Sequence, residues 1–207
     1  MKKGVVHLYV FDGMADWEAA FAIAAINSPQ HQQVPGRYRT VTVAVSRDPI
    51  TTMGGVRILP DDTLNGLSPV ASSLLILPGG ETWLQGGNRE AIEKARNFLA
   101  VGVPLAAICG ATVALARSGL LNDRRHTGNA REVLASPAYS GASLYVDEPA
   151  VADKNLVTAS GVAPVEFARE ILRLLDVYSP TALDAWFALF RHGDASRYYD
   201  LARASAA

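Results

Sequence analysis

The sequence predicts an α/β fold, a three-layer α/β/α sandwich around a mostly parallel sheet. Three observations predict it. Strand and helix signals alternate from one end of the chain to the other. The segments Val5–Phe11, Leu74–Leu77 and Pro104–Ile108 are near-continuous apolar runs, as expected of strands covered on both faces. The third of these runs passes straight into helical sequence through Cys109, the one cysteine of the chain. A residue placed so sits on a nucleophile elbow, its side chain raised above the sheet edge.

Taken in order, Val5–Phe11 gives the first strand, and after the Asp12-Gly13 turn the Ala-rich segment Trp17–Ile26 reads as helix. Thr40–Val45 is β-branched and forms the second strand. Between them, Asn27–Arg39 is polar, with Pro29, Pro35 and Gly36, and is the expected mobile loop. Leu74–Leu77 is stopped by Pro78-Gly79-Gly80. Asn88 is placed to cap a helix running to about Ala100, and Pro104–Ile108 follows as a strand. Gly110–Arg117 is helical, with Gly119 where a left-handed C-terminal cap belongs. Asn129 with Glu132 resembles a capping box for a short helix. Leu144–Val146 and Leu156–Ala159 read as short strands. Pro164 opens a helix over Val165–Val177, with Phe167, Ala168, Ile171, Leu172 and Leu175 on one face. Ser179-Pro180 opens a last helix. Its stripe of Trp186, Phe187, Leu189 and Phe190 suits the core, or else covers a neighbour or a dimer seam. Ala202–Ala207 is expected to fray.

The 207 residues, 49% hydrophobic, suffice for one substantial core and crowd out a second. The reading is therefore a single domain over 1–207. A formal net charge of −1 gives no field that would draw nucleic acid or acidic lipid. No window holds the ~18 to 20 continuous apolar residues of a membrane span. The basic start Met1–Gly4 imitates a leader, but Asp12 interrupts the apolar run before any cleavage site. One cysteine allows no internal disulfide, which suits a reducing, cytoplasmic setting. The histidines and the cysteine show no metal-ligand spacing, and no cofactor is expected.

Chemistry centres on three loops at strand ends, where ligands gather in such folds. Ala107, Gly110 and Ala111 give Cys109 the small neighbours an elbow needs, and the helix dipole would favour its thiolate and lower its pKa. The plainer alternative is a buried cysteine acting as a small hydrophobe. Gly79 and Gly80 follow a buried strand and can aim two backbone N–H groups into one crevice. With the N–H of Gly110 they would make an oxyanion hole, unless Pro-Gly-Gly is simply a turn. No glycine pattern of a phosphate cradle accompanies them. Glu18 begins a helix beside Trp17, where desolvation would raise its pKa. Protonated, it could donate a hydrogen bond to the Cys109 thiolate; otherwise it is an ordinary acid at a helix start. Ala111 and Thr112 share the Cys109 loop and are expected to line its pocket together with Gly79, and Trp83 either walls the pocket mouth or packs in the core. His126 follows Asp123-Arg124-Arg125, where a lone histidine is usually a surface residue.

Val10-Phe11-Asp12-Gly13 with Glu18, Leu77-Pro78-Gly79-Gly80 and Ala106-Ala107-Ile108-Cys109-Gly110-Ala111 together resemble the ThiJ/PfpI family of the class I glutamine-amidotransferase-like superfamily. The resemblance runs from Val5 to about Val177, leaving 179–203 as a C-terminal helical extension, and implies a flavodoxin-like fold. It implies further that Cys109 is the reactive cysteine, Glu18 its acid, and Gly80 and Gly110 the backbone donors. The stretch His126-Thr127-Gly128-Asn129 resembles the segment that brings a histidine near the cysteine in some members. The glutaminase H-x-E pair is absent, since Ser160–Pro164 carries no histidine, so glutamine hydrolysis is not expected. The expected function is a hydrolase- or lyase-type reaction of Cys109 with a small electrophile, glyoxalase/deglycase- or isonitrile-hydratase-like. Its rivals are an oxidative-stress sensor or chaperone-like protein using a cysteine sulfinate, and an intracellular protease-like or ligand-binding regulatory module. A homodimer acting on a small molecule, without nucleic acid or membrane, completes the expectation.

Overall fold

In the computed structural model the residues described are 4–204; the basic start 1–3 and the tail end 205–207 lie outside them. A seven-stranded sheet runs β5-β2-β1-β6-β7-β9-β8. Its members are β1 (Gly4–Tyr9), β2 (Tyr38–Ala44), β5 (Asp62–Thr63), β6 (Leu74–Leu77), β7 (Leu105–Ile108), β8 (Ala150–Asp153) and β9 (Leu156–Ala159). Every pairing is parallel except β8 with β9. The apolar runs explain the centre: all four residues of β6 and all four of β7 are fully buried. Each such Leu or Ile contributes roughly 1.5–3 kcal/mol by leaving water.

Parallel neighbours need crossover connections, and right-handed ones place the helices on both faces. Helix α1 (Asp16–Asn27) follows β1, α2 (Arg89–Ala100) precedes β7, and α3 (Gly110–Arg117) leaves it. Helices α4 (Pro164–Leu174), α5 (Pro180–His192) and α6 (Arg197–Ala204) complete the chain. α4 turns its apolar stripe inward, burying Phe167, Ala168, Ile171 and Leu172 between α1, α5 and β9. This is the flavodoxin-like three-layer arrangement.

Several local expectations are corrected. Leu144–Val146 is not a strand; Tyr145 makes one isolated bridge with His126, and the edge strand lies later, at β8. Asn129 caps nothing, because the short 3-10 helix there begins at Glu132 and the Asn129 side chain is engaged elsewhere. Asn88 heads α2 in a left-handed conformation (φ 59°), and its amide accepts from the Tyr9 hydroxyl instead of capping. The helix opened by Ser179 is followed by α6, which holds Ala202–Ala204 in helix where fraying was expected. The Asn27–Arg39 segment is tied down by buried Gln32, whose amide donates to Ala25 O and Ile26 O and accepts from Gly36 N. A hairpin of β3 (Ile50–Thr51) and β4 (Arg57–Ile58) was not foreseen, and it leans over the C-terminal end of β1.

Candidate active site

Cys109 stands between β7 and α3 at φ 58° and ψ −126°, a conformation rarely adopted by a residue with a side chain. Its backbone is fixed by Cys109 N donating to Ala159 O at 3.0 Å and Thr112 N donating to Cys109 O at 3.0 Å. The turn requires bare neighbours. A Cβ on Gly79 would lie 2.6 Å from both Cys109 Cβ and Glu18 Oε2, and one on Gly161 would lie 2.8 Å from the Cys109 sulfur. These two glycines admit the backbone to the thiol from opposite sides.

Glu18, on the first turn of α1, is 1% exposed. Its Oε2 accepts the Gly79 N–H. Its Oε1 has no hydrogen-bond partner and lies beside the thiol, since a Cβ on Gly161 would meet both that oxygen, at 3.1 Å, and the Cys109 sulfur, at 2.8 Å. Burial raises the Glu18 pKa, against the Gly79 N–H and the thiol, which pull it down. Burial likewise pushes the Cys109 thiol up; the Asn129 amide and the Gly110 N–H oppose it, and the Glu18 charge reinforces it. The expected lowering of the Cys109 pKa is thus corrected, because desolvation and a neighbouring carboxylate outweigh a short helix's dipole. Both groups hold their protons more firmly than usual.

A cavity of about 170 Å³ opens over the sulfur, lined by Cys109, Glu18, Gly80, Gly110, Asn129 and Glu81 and otherwise by apolar side chains. Gly80 and Gly110 both line the cavity, with the Gly110 N–H beside the thiol. Gly79 does not line the cavity, its N–H being taken by Glu18. Ala111 and Thr112 are corrected to core: both are fully buried, and the Thr112 hydroxyl donates to Cys109 O. Trp83 is also core rather than pocket wall, with its indole N–H on Pro78 O and its ring against Tyr9 and Phe11. His126 is not brought to the thiol. It is fully buried, with Nδ1 paired to Arg124 O and Nε2 to the Tyr139 hydroxyl, each at 2.8 Å. Its ring is spent on holding the 121–145 loops together. Among the described residues no cluster of His, Cys, Asp and Glu could hold a metal ion.

A match to the DJ-1/PfpI family covers residues 5–174. The chain belongs to the DJ-1/PfpI family. It is 42% identical over 204 residues to a Bacillus subtilis (strain 168) protein named "Uncharacterized protease YoaZ", covering 97% of each chain. It is 26% identical over 149 residues to "Deglycase PH1704" of Pyrococcus horikoshii, covering 71% of this chain and 89% of that one. The crystal structure of a thiJ/pfpI family protein from Bacillus anthracis superposes with a TM-score of 0.90 at 40% identity, covering 99% and 98% of the two chains. No described helix is long and apolar enough to cross a membrane.

Within this DJ-1/PfpI site, sequence reasoning missed Asn129 and Gly161. Asn129 Nδ2 donates to the Cys109 sulfur at 3.3 Å, while its Oδ1 accepts Gly161 N at 2.8 Å. A neutral amide therefore stands against the sulfur, three residues beyond the histidine expected there. The clue lay in the same His126–Asn129 stretch, whose one ionisable residue drew the attention.

Proposed function

We propose that the chain is a cysteine-dependent enzyme acting on a small electrophilic carbonyl compound, in the manner of a glyoxalase or deglycase. The observation that carries this is the placement of a buried, unpartnered carboxyl oxygen beside the thiol at one small cavity: a Cβ on Gly161 would lie 2.8 Å from the Cys109 sulfur and 3.1 Å from Glu18 Oε1. The cavity is smaller than the roughly 300 Å³ or more of ordinary ligand pockets, which favours a small substrate. The relative named a deglycase points the same way.

The pair supplies what addition to a 2-oxoaldehyde needs. The Cys109 proton passes to Glu18 as sulfur bonds to the aldehyde carbon, and the carbonyl electrons move to oxygen near the Gly80 and Gly110 N–H groups. Glu18 returns the proton to that oxygen, giving a hemithioacetal. Ionised again, Glu18 removes the proton on the sulfur-bearing carbon and delivers it to the neighbouring carbon, while the hydroxyl proton on the first carbon's oxygen passes to the neighbouring carbonyl oxygen, leaving the thioester of a 2-hydroxy acid. Water then splits the thioester into a 2-hydroxy acid and the free thiol, with no net oxidation. Asn129 holds the sulfur in place without exchanging protons.

The test is the loss of methylglyoxal and the appearance of lactate. Cys109→Ser is expected to abolish turnover, and Glu18→Gln to lower kcat on the order of 100-fold or more. Absence of turnover, or turnover undiminished in Cys109→Ser, would contradict the reading.

A further inference from the structure

The mouth of the cavity is ringed by side chains that a soluble domain ordinarily hides. Trp17, Met53, Leu84 and Val133 all line it, and each is between 45% and 51% exposed. They come from α1, the β3–β4 hairpin, the loop after β6 and the short helix at Glu132–Leu134. Four separate elements thus converge their apolar groups on one opening, where scattered surface hydrophobes would not.

The ring is held in position. The Trp17 indole N–H donates to Gly161 O at 3.1 Å, across the sulfur. Met53 N donates to Met14 O at 2.9 Å, and Gly54 N to Asp16 Oδ2 at 2.7 Å, hooking the hairpin onto the start of α1. Arg117 donates to Leu84 O at 2.7 Å. Apart from Glu18, the ionisable carboxyl lining the cavity is Glu81, which is exposed.

We infer that this collar selects substrates carrying an apolar substituent beside the reacting carbon, an aryl or short alkyl group that lies on Trp17, Met53, Leu84 and Val133 while the electrophile reaches Cys109. Methylglyoxal would then be a minimal substrate and phenylglyoxal a better one. The inference rests on the proposed reading of Cys109 as a nucleophile toward small electrophiles, yet it can be tested without turnover.

The probe is a pair of alkylating reagents with one reactive group, iodoacetamide and its N-phenyl analogue iodoacetanilide. Their rates at Cys109 are normalised to those with free N-acetylcysteine. The normalised preference for iodoacetanilide is expected to be about tenfold, a modest share of the transfer energy of a phenyl ring. Met53→Ser and Leu84→Ser should each cut that preference about threefold and leave the iodoacetamide rate unchanged, which separates the collar from damage to the thiol. Equal normalised rates, or a preference untouched by both variants, would overturn the inference; a collar sealed by a second copy of the chain would show as equal rates. A preference retained without any carbonyl turnover would sink the proposed reaction and leave the collar standing.

Discussion

At the scale of residues, the site is a set of close approaches that tolerate no added atoms. Gly161→Ala would put a methyl 2.8 Å from the Cys109 sulfur. Alkylation of Cys109 by iodoacetamide should slow at least about tenfold in that variant, with a Tm loss of a few degrees; a rate equal to the wild type would show that the glycine's bareness is immaterial. Asn129→Ala removes a donor from the sulfur and should move thiol deprotonation to higher pH, read as slower alkylation at neutral pH. Restoration by Asn129→Gln would indicate the amide, not the packing. The sequence disclosed Cys109 because elbow chemistry has a local spacing, whereas Glu18 and Gly80, distant along the chain, were singled out by the family resemblance. It concealed Asn129, since an amide 20 residues away reaches the sulfur only through the path of an irregular loop.

At the scale of elements, β1 shows how a strand's burial creates a pH dependence. It pairs with β2 on one side and β6 on the other, and its His7 is buried with Nδ1 at 2.9 Å from the Ser72 hydroxyl. Burial lowers the His7 pKa from 6.5 to about 4, helped by Arg39. Between those values the unfolded chain binds the proton and the folded one does not, so stability is full above pH 6.5 and falls toward pH 4. The loss should approach about 3 kcal/mol. In urea unfolding, His7→Gln should lose about 2 kcal/mol less than wild type between pH 7 and pH 4.5; parallel losses would contradict this. The long apolar strands and the amphipathic α4 were legible because their periods repeat. The β3–β4 hairpin was not, since two-residue strands carry no period, and Leu144–Val146 looked like a strand only because three apolar residues suit either a strand or a packed turn.

At the scale of the whole molecule, three layers set a thiol and a carboxyl together at the C-terminal ends of β1, β6, β7 and β9. The alternation of elements made that architecture readable, whereas the partners of this chain are not written in any local pattern. We propose a homodimer, which fits the exposed Phe190 of α5 and the exposed Tyr198 and Tyr199 of α6. Light scattering at micromolar concentration should give twice the chain mass, and a monomer would refute it. Glu18 ties the site to global stability. Its folded pKa is raised, so the folded state keeps a proton the unfolded chain has released, and stability declines as pH rises above about 4.5. Glu18→Gln should therefore gain in Tm over wild type as pH increases from 4.5 to 8, and a constant difference would count against the desolvated carboxyl. The most direct test of Glu18's effect on the thiol is the ultraviolet absorbance of the Cys109 thiolate against pH, with Cys109→Ser subtracted, in wild type and Glu18→Gln. With one cysteine in the chain the signal belongs to one sulfur. The account predicts that the Gln variant forms its thiolate at clearly lower pH than the wild type; superimposable curves would contradict it.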